Sequence, residues 1–198
     1  PMDTPGITVG KSDKKMGQAG SHIADIVMED VKLPADAILG GEEGKGFSFA
    51  EEGLVHARPP YAAATIGIAQ AALDIAMDWA RQRKTFGSHL ADKQAIQWML
   101  ADSEVELRAA RLLVYQAAWN ADLGRDIKVD ASVAKVYGTE TAGRVVDRCI
   151  QILGGMGVAQ ELPLERWYRE MRIKRIGEGP SEVHRMVIAR DMLGALRA

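Results

Sequence analysis

Glu178 stands between Gly177 and Gly179 in the stretch KRIGEGPSEVHR, residues 174–185, and Pro180 follows closely. The glycines leave the carboxylate's surroundings open to a ligand and give its backbone freedom. Pro180 suits the first position of a helix, whose free N–H groups would then lie beside Glu178, where an anion or a developing oxyanion is favoured. A ligand that excluded water there would make the carboxylate a useful base near neutrality. An acid ahead of a helix also complements the helix dipole, and spacing alone leaves both readings open.

Two further stretches invite a phosphate reading. RKTFG puts Arg83 and Lys84 next to Phe86 at a helix end, suited to a phosphate and a flat ring, or equally to a solvated basic terminus. QILGGMG, residues 151–157, has the glycines of a phosphate loop but neither a preceding strand nor the P-loop lysine, and reads more readily as a helix C-cap. Glu140 is a second candidate base, with the simpler role of pairing to Arg144 one turn on. Cys149 falls near an apolar helical stripe and reads as packing rather than nucleophile. His22, His56, His89 and His184 lack metal-ligand spacing, and no metal site is expected.

These residues must be positioned by helices. Residues 1–46 carry short alternating segments, GITVG and HIADIVMEDVKLP, that read as strands too few to close a sheet, and they are taken as the C-terminal portion of a β domain. Residues 47–198 are taken as a helical domain. Ala64, Ile68, Ala71 and Ile75 mark the stripe of a first helix ending near Gln82. Ile96, Met99, Leu100, Leu107, Ala110, Leu113 and Ala117 mark a second that stops at Gly124. Val129, Val133, Val136, Val146, Ile150 and Leu153 mark a third ending at GGMG. PLERWYREM gives a short helix and SEVHRMVIARDML the last. The expected fold class is mainly α, an antiparallel four-helix bundle preceded by a partial β domain.

A net charge of −2 in 198 residues argues against a nucleic-acid partner. The most apolar run, residues 61–80, is broken by Gln70, Asp74 and Asp78, and is not expected to span a membrane. One cysteine and the absence of a leader-like opening point to a reducing compartment: the cytoplasm in a bacterium, or the mitochondrial matrix or a peroxisome in a eukaryote. The start at Pro1 reads as an excised piece of something larger.

Together, VMEDVKLPADAILGGEEGKGF, RQRKTFG, QILGGMG and EGPSEVHR resemble, in order and spacing and over essentially the whole chain, the acyl-CoA dehydrogenase family. The resemblance implies a flavoprotein whose C-terminal four-helix bundle follows a central β domain. It implies that Glu178 is the base that takes the α proton of an acyl-CoA thioester, while the β hydrogen leaves as hydride to FAD. The Glu178 backbone N–H would contribute to an oxyanion hole for the thioester oxygen. By the same resemblance Arg83, Phe86 and Gln94 hold the FAD pyrophosphate and adenine of a neighbouring subunit, with Gln151, Gly154 and Gly155 completing that grip. Pro180, Ser181 and Glu182 lie along the FAD of the same chain. Arg58 and Gly179 border the substrate. The implied partners are electron-transferring flavoprotein and further copies of the chain, as a homodimer or homotetramer.

Departures from the family pattern shape the rest. Gly177 replaces a common tyrosine, which implies a larger pocket near the reacting carbons, and the EGPSEVHR form is similar to a divergent branch of the family that handles larger or modified acyl chains, which implies a long or substituted acyl-CoA. Pro180 replaces a common threonine, and Val55 stands where straight-chain enzymes often have an aspartate. Ala57 occupies the alternative base position of some members and cannot serve there. Lacking the residues that cover the flavin ring, the piece alone is expected to be inactive. An acyl-CoA oxidase, or a non-catalytic oligomer-forming helical domain, are the competing readings.

Overall fold

The computed structural model describes residues 1–194; residues 195–198, the end of the expected 47–198 domain, lie outside the described residues. The chain divides into two compact units, residues 1–53 and residue 54 onward. In the first, β1 (Ile7–Val9) pairs antiparallel with β2 (Ile26–Met28), with Ile7 opposite Met28 and Val9 opposite Ile26. The segments read as strands do pair, but over three residues each, and Val9, Ile26, Val27 and Met28 are exposed. A two-stranded ribbon has no second layer to bury them.

The second unit is a helical bundle. Its first helix, α1 (Gly46–Gln82), begins in the first unit, is 37 residues long and so runs ~55 Å. It continues through Pro59 and Pro60, which deprive the carbonyls of Val55 and His56 of their intrahelical donors. α2 (Gln94–Asp122) returns, α3 (Lys128–Leu153) runs out again, and α5 (Leu164–Lys174) and α6 (Ser181–Met192) pack on α3. Left-handed Gly124 and Gly154 end α2 and α3, as glycine does where a helix must reverse. A single turn, α4 (Gly155–Val158), follows Gly154.

The core lies where α1, α2 and α3 meet, but its phase differs from the expected stripes. On α1 the buried residues are Ala62, Thr65, Ile66, Ala69, Ala72, Leu73, Ala76 and Ala80, whereas Ala64 is exposed and Ile68 and Ile75 flank the core. So many positions of this helix are apolar that periodicity leaves its rotation open. Alanines take the centre because they let helices approach closely. On α3, Val129, Val133 and Val136 are only half-buried, while Ala131, Ser132, Ala134, Lys135, Gly138 and Thr139 are buried. α2 follows its expected stripe, with Leu107, Ala110 and Ala117 wholly buried. Val55 packs with Ile127 and Ala131 in a small second cluster, which accounts for an apolar residue at that position.

Leu107 has no exposed surface. Its replacement by alanine removes a buried side chain from the centre of the bundle, and chemical denaturation of the protein is expected to show a loss of about 2–5 kcal/mol.

Candidate active site

α5 ends at Lys174, and the chain needs only residues 175–180 to turn into α6. Ile176 and Gly177 donate their N–H groups to the Ile173 carbonyl, closing the last turn of α5. Glu178 (φ 58°) and Gly179 (φ 92°) then both adopt left-handed backbone. This is routine for glycine, but for glutamate it is an uncommon conformation that surrounding bonds must hold. Pro180 follows in extended conformation as the residue capping α6, one position earlier than expected, and Ser181 opens the helix.

The holding bonds come from three helices. From α1, Arg58 Nε donates to the Glu178 carbonyl at 3.3 Å. His184 Nε2, from α6, donates to the same oxygen at 3.0 Å. Lys135 Nζ, from α3, donates to the carbonyls of Gly179 (2.5 Å) and Arg175 (3.3 Å). Ser181 N–H also donates to the Arg175 carbonyl, tying the start of α6 to the end of α5. With both carbonyls drawn towards donors, the N–H groups of Glu178 and Gly179 have no backbone acceptor among the described residues. Glu178 Oε2 is buried without a hydrogen-bond partner. A carboxylate oxygen with unused accepting capacity, beside unused N–H donors, can take a proton and stabilise a negative oxygen.

The protonation states follow from burial. Lys135 is fully buried; loss of solvation, then the Arg58 charge, lower its pKa to about 8 against the pull of Glu178. It remains largely charged near neutrality and is satisfied by carbonyl oxygens. His184 is also fully buried, and desolvation holds it below its ordinary value. Its ring is therefore neutral near pH 7, and because a carbonyl can only accept, the proton sits on Nε2. Nδ1 then accepts from the Ser132 hydroxyl, 3.1 Å away.

Of the residues expected from the sequence, the fold gathers Glu178, Gly179, Pro180, Ser181 and Arg58 at this turn, with Glu182 exposed in the first turn of α6. The others lie elsewhere. Arg83 directly follows α1, and Lys84–Thr85 (β3) pairs with Ser88–His89 (β4) in a hairpin turning on Phe86 and Gly87, both left-handed. Phe86 is 99% exposed, and Gln94, at the start of α2, is exposed too. Gln151, Gly154 and Gly155 are exposed around the end of α3, and a Cβ on either glycine would meet nothing within 4 Å. Since α2 returns between α1 and α3, both of these helices end at the same end of the bundle. The 25-residue separation of Arg58 and Arg83 on α1 places that end ~37 Å from the turn.

Two expectations are corrected. Glu140 does not pair with Arg144: it binds Arg185 of α6 at 2.8 Å, while Arg144 reaches Glu106 of α2 at 3.0 Å. The two residues point to different neighbouring helices, so tertiary partners replace the local pair. Nor is there extra room beside Gly177, because a Cβ there would lie 2.7 Å from the Tyr61 hydroxyl. Cys149 is buried, and desolvation pushes its thiol up to about 12, in keeping with packing. Lys135, Ser132 and His184 hold the turn and Tyr61 lies against Gly177; of these the sequence marked only His184, and only as a histidine without metal-ligand spacing. A lysine among Ala131, Ala134, Gly138 and Ala142, at helical spacing on a buried face, was the available signal.

The fold and the turn describe a helical-bundle domain that presents one carboxylate on pinned, left-handed backbone. Residues 44–193 match the family described as acyl-CoA dehydrogenase, C-terminal domain. The human mitochondrial short-chain specific acyl-CoA dehydrogenase is 44% identical over all 198 residues, 48% of its own length. Butyryl-CoA dehydrogenase from Megasphaera elsdenii superposes with a TM-score of 0.92 at 42% identity, over 96% of this chain and 50% of that one. PigA, solved with FAD and proline, superposes with a TM-score of 0.93 at 28% identity, over 99% of this chain and 50% of its own. The chain belongs to the acyl-CoA dehydrogenase family. It spans about half the length of the curated relatives it matches.

The neutral His184 gives the stability of the protein a pH signature. Its folded pKa lies below the ordinary 6.5, so its contribution is fully present above about pH 6.5 and is lost as pH falls through the folded value, where the unfolded chain binds the extra proton. Stability measured by urea denaturation is expected to fall below pH 6.5, and His184→Gln to flatten that limb. Gly179→Ala would strain a φ of 92° and set a methyl 3.0 Å from His184 Nε2. Its expected cost in the same assay is about 1–3 kcal/mol.

Proposed function

We propose that this chain is the catalytic C-terminal portion of an FAD-dependent acyl-CoA dehydrogenase, with Glu178 as the base. The observation that carries the reading is the Glu178 turn: a buried, unpartnered carboxylate oxygen beside backbone N–H groups with no backbone acceptor. In this reading a short acyl-CoA thioester lies with its carbonyl oxygen against the Glu178 N–H. That contact acidifies the α carbon and lets the Glu178 carboxylate take its proton. Bound FAD would supply the acceptor for the β hydride. Arg58, Lys135 and His184 hold the turn so that one residue presents both N–H and carboxylate to the substrate.

The residues present fit a flavin dinucleotide divided between subunits. Bare backbone at Gly154 and Gly155 lets a pyrophosphate approach closely, Gln151 and Arg83 offer side-chain donors, and the outward Phe86 ring offers a stacking face for adenine. That end of α1 is further from Glu178 than an extended dinucleotide reaches, which supports a grip on a partner's FAD. Pro180, Ser181 and Glu182 would line the flavin of the chain itself at the positive end of α6. Oligomerisation is supported by Trp98, Val105, Leu112 and Trp119, which recur every seven residues on α2 and are all exposed. A homodimer, or a homotetramer built from dimers, would cover this stripe. Electron-transferring flavoprotein is the acceptor expected from the family. Among the described residues no helix is long and apolar enough to cross a membrane.

Anaerobic titration of the full-length FAD-loaded protein with acyl-CoAs of graded length tests this reading through bleaching of the flavin's visible band. Glu178→Gln is expected to slow bleaching by about 10²–10⁴-fold while FAD content is unchanged. Equal bleaching in both proteins would assign the base to another residue, and a loaded protein that no acyl-CoA bleaches would remove the reading altogether.

A further inference from the structure

Gly177 and Tyr61 meet at the Glu178 turn. A Cβ built on Gly177 would lie 2.7 Å from the Tyr61 hydroxyl, closer than real Cβ contacts come. Gly177 is not among the residues with positive φ, so its backbone would accept any side chain. What demands glycine is space, and Tyr61 fills it. The tyrosine is itself fixed: it is half-buried on α1, and Lys174 Nζ stands 4.5 Å over its ring centroid. Burial, with the Glu178 charge added, raises its hydroxyl to about 12, so it stays neutral and cannot compete as a base.

We infer that Tyr61 sets the size limit at the reacting carbons: its ring, delivered from α1 into the volume that a side chain at 177 would take, walls the acyl end beside Glu178 so that only short, unbranched acyl thioesters fit. The inference rests on the reading of Glu178 as base. The wall comes from a long helix and not from the turn, so acyl size and base geometry can vary independently. A residue change at 61 should alter chain length without moving the carboxylate.

Binding tests this without turnover. In the full-length FAD-loaded protein carrying Glu178→Gln, calorimetry gives affinities for straight acyl-CoAs of graded length and for a β-branched acyl-CoA. Tyr61→Ala is expected to raise the ratio of long or branched over short affinities by tenfold or more. Tyr61→Phe, which keeps the ring, should leave it within twofold. Tyr61→Ala combined with Gly177→Tyr should restore it by rebuilding the wall from the other side. If Tyr61→Ala does not fold, Tyr61→Leu is expected to shift the ratio in the same direction. A ratio unmoved in a folded Tyr61→Ala or Tyr61→Leu protein that still binds acyl-CoA would overturn this inference alone. Failure of any acyl-CoA to bind, with Glu178 restored or not, would overturn it together with the functional reading beneath it.

Discussion

A lysine with no exposed surface, Lys135, gives its ammonium to the carbonyls of Arg175 and Gly179. A charge buried this deeply is tolerable only if its donors are taken up, and the acceptors here are the two ends of one turn. The requirement works in both directions. The turn keeps the lysine satisfied, and the lysine keeps Glu178 in left-handed backbone that glutamate rarely adopts unaided. His184 and Arg58 add to the hold at the next carbonyl, so three helices converge on two consecutive peptide groups. Hydrogen bonds from charged donors contribute roughly 1.5–3 kcal/mol each, enough together to offset the strain of one or two unusual backbone conformations.

This arrangement explains the unusual composition of α3. Its C-terminal half buries Val145, Val146, Cys149, Ile152 and Leu153 as an ordinary core helix would. Its N-terminal half buries Ser132, Lys135 and Thr139, which make hydrogen bonds there, with Ala131, Ala134 and Gly138 giving room for close approach. One helix thus changes from core element to scaffold of the site along its length. Along the bundle the pinned turn lies near one end, and the bare glycines and outward Phe86 lie at the other.

Much of this was legible in the sequence because punctuation is local chemistry. Gly177, Gly179 and Pro180 announced a turn leading into a helix around one acid, and GGMG announced the end of α3, since glycine and proline act through their own backbone. The hairpin at Phe86 was hidden because an aromatic residue in left-handed backbone breaks the usual turn signature. The rotation of α1 was hidden as well, because an alanine-rich helix is apolar on more than one face. The pairing of Glu140 with Arg185 was invisible because its partner comes from another helix.

The sequence by itself determined the helical architecture, the order of the motifs, the family, and Glu178 as the acid set in flexible backbone, since each depends on residue types at short range or on fixed spacing. Tertiary structure alone decided what holds that acid and what surrounds it. Lys135, His184 and Arg58 lie 43, 6 and 120 positions from Glu178, yet their donors converge on its turn. Tyr61 occupies the space that the missing side chain of Gly177 had been expected to leave open. Such contacts arise only when helices pack, because desolvation and steric exclusion act between surfaces that the linear order keeps apart.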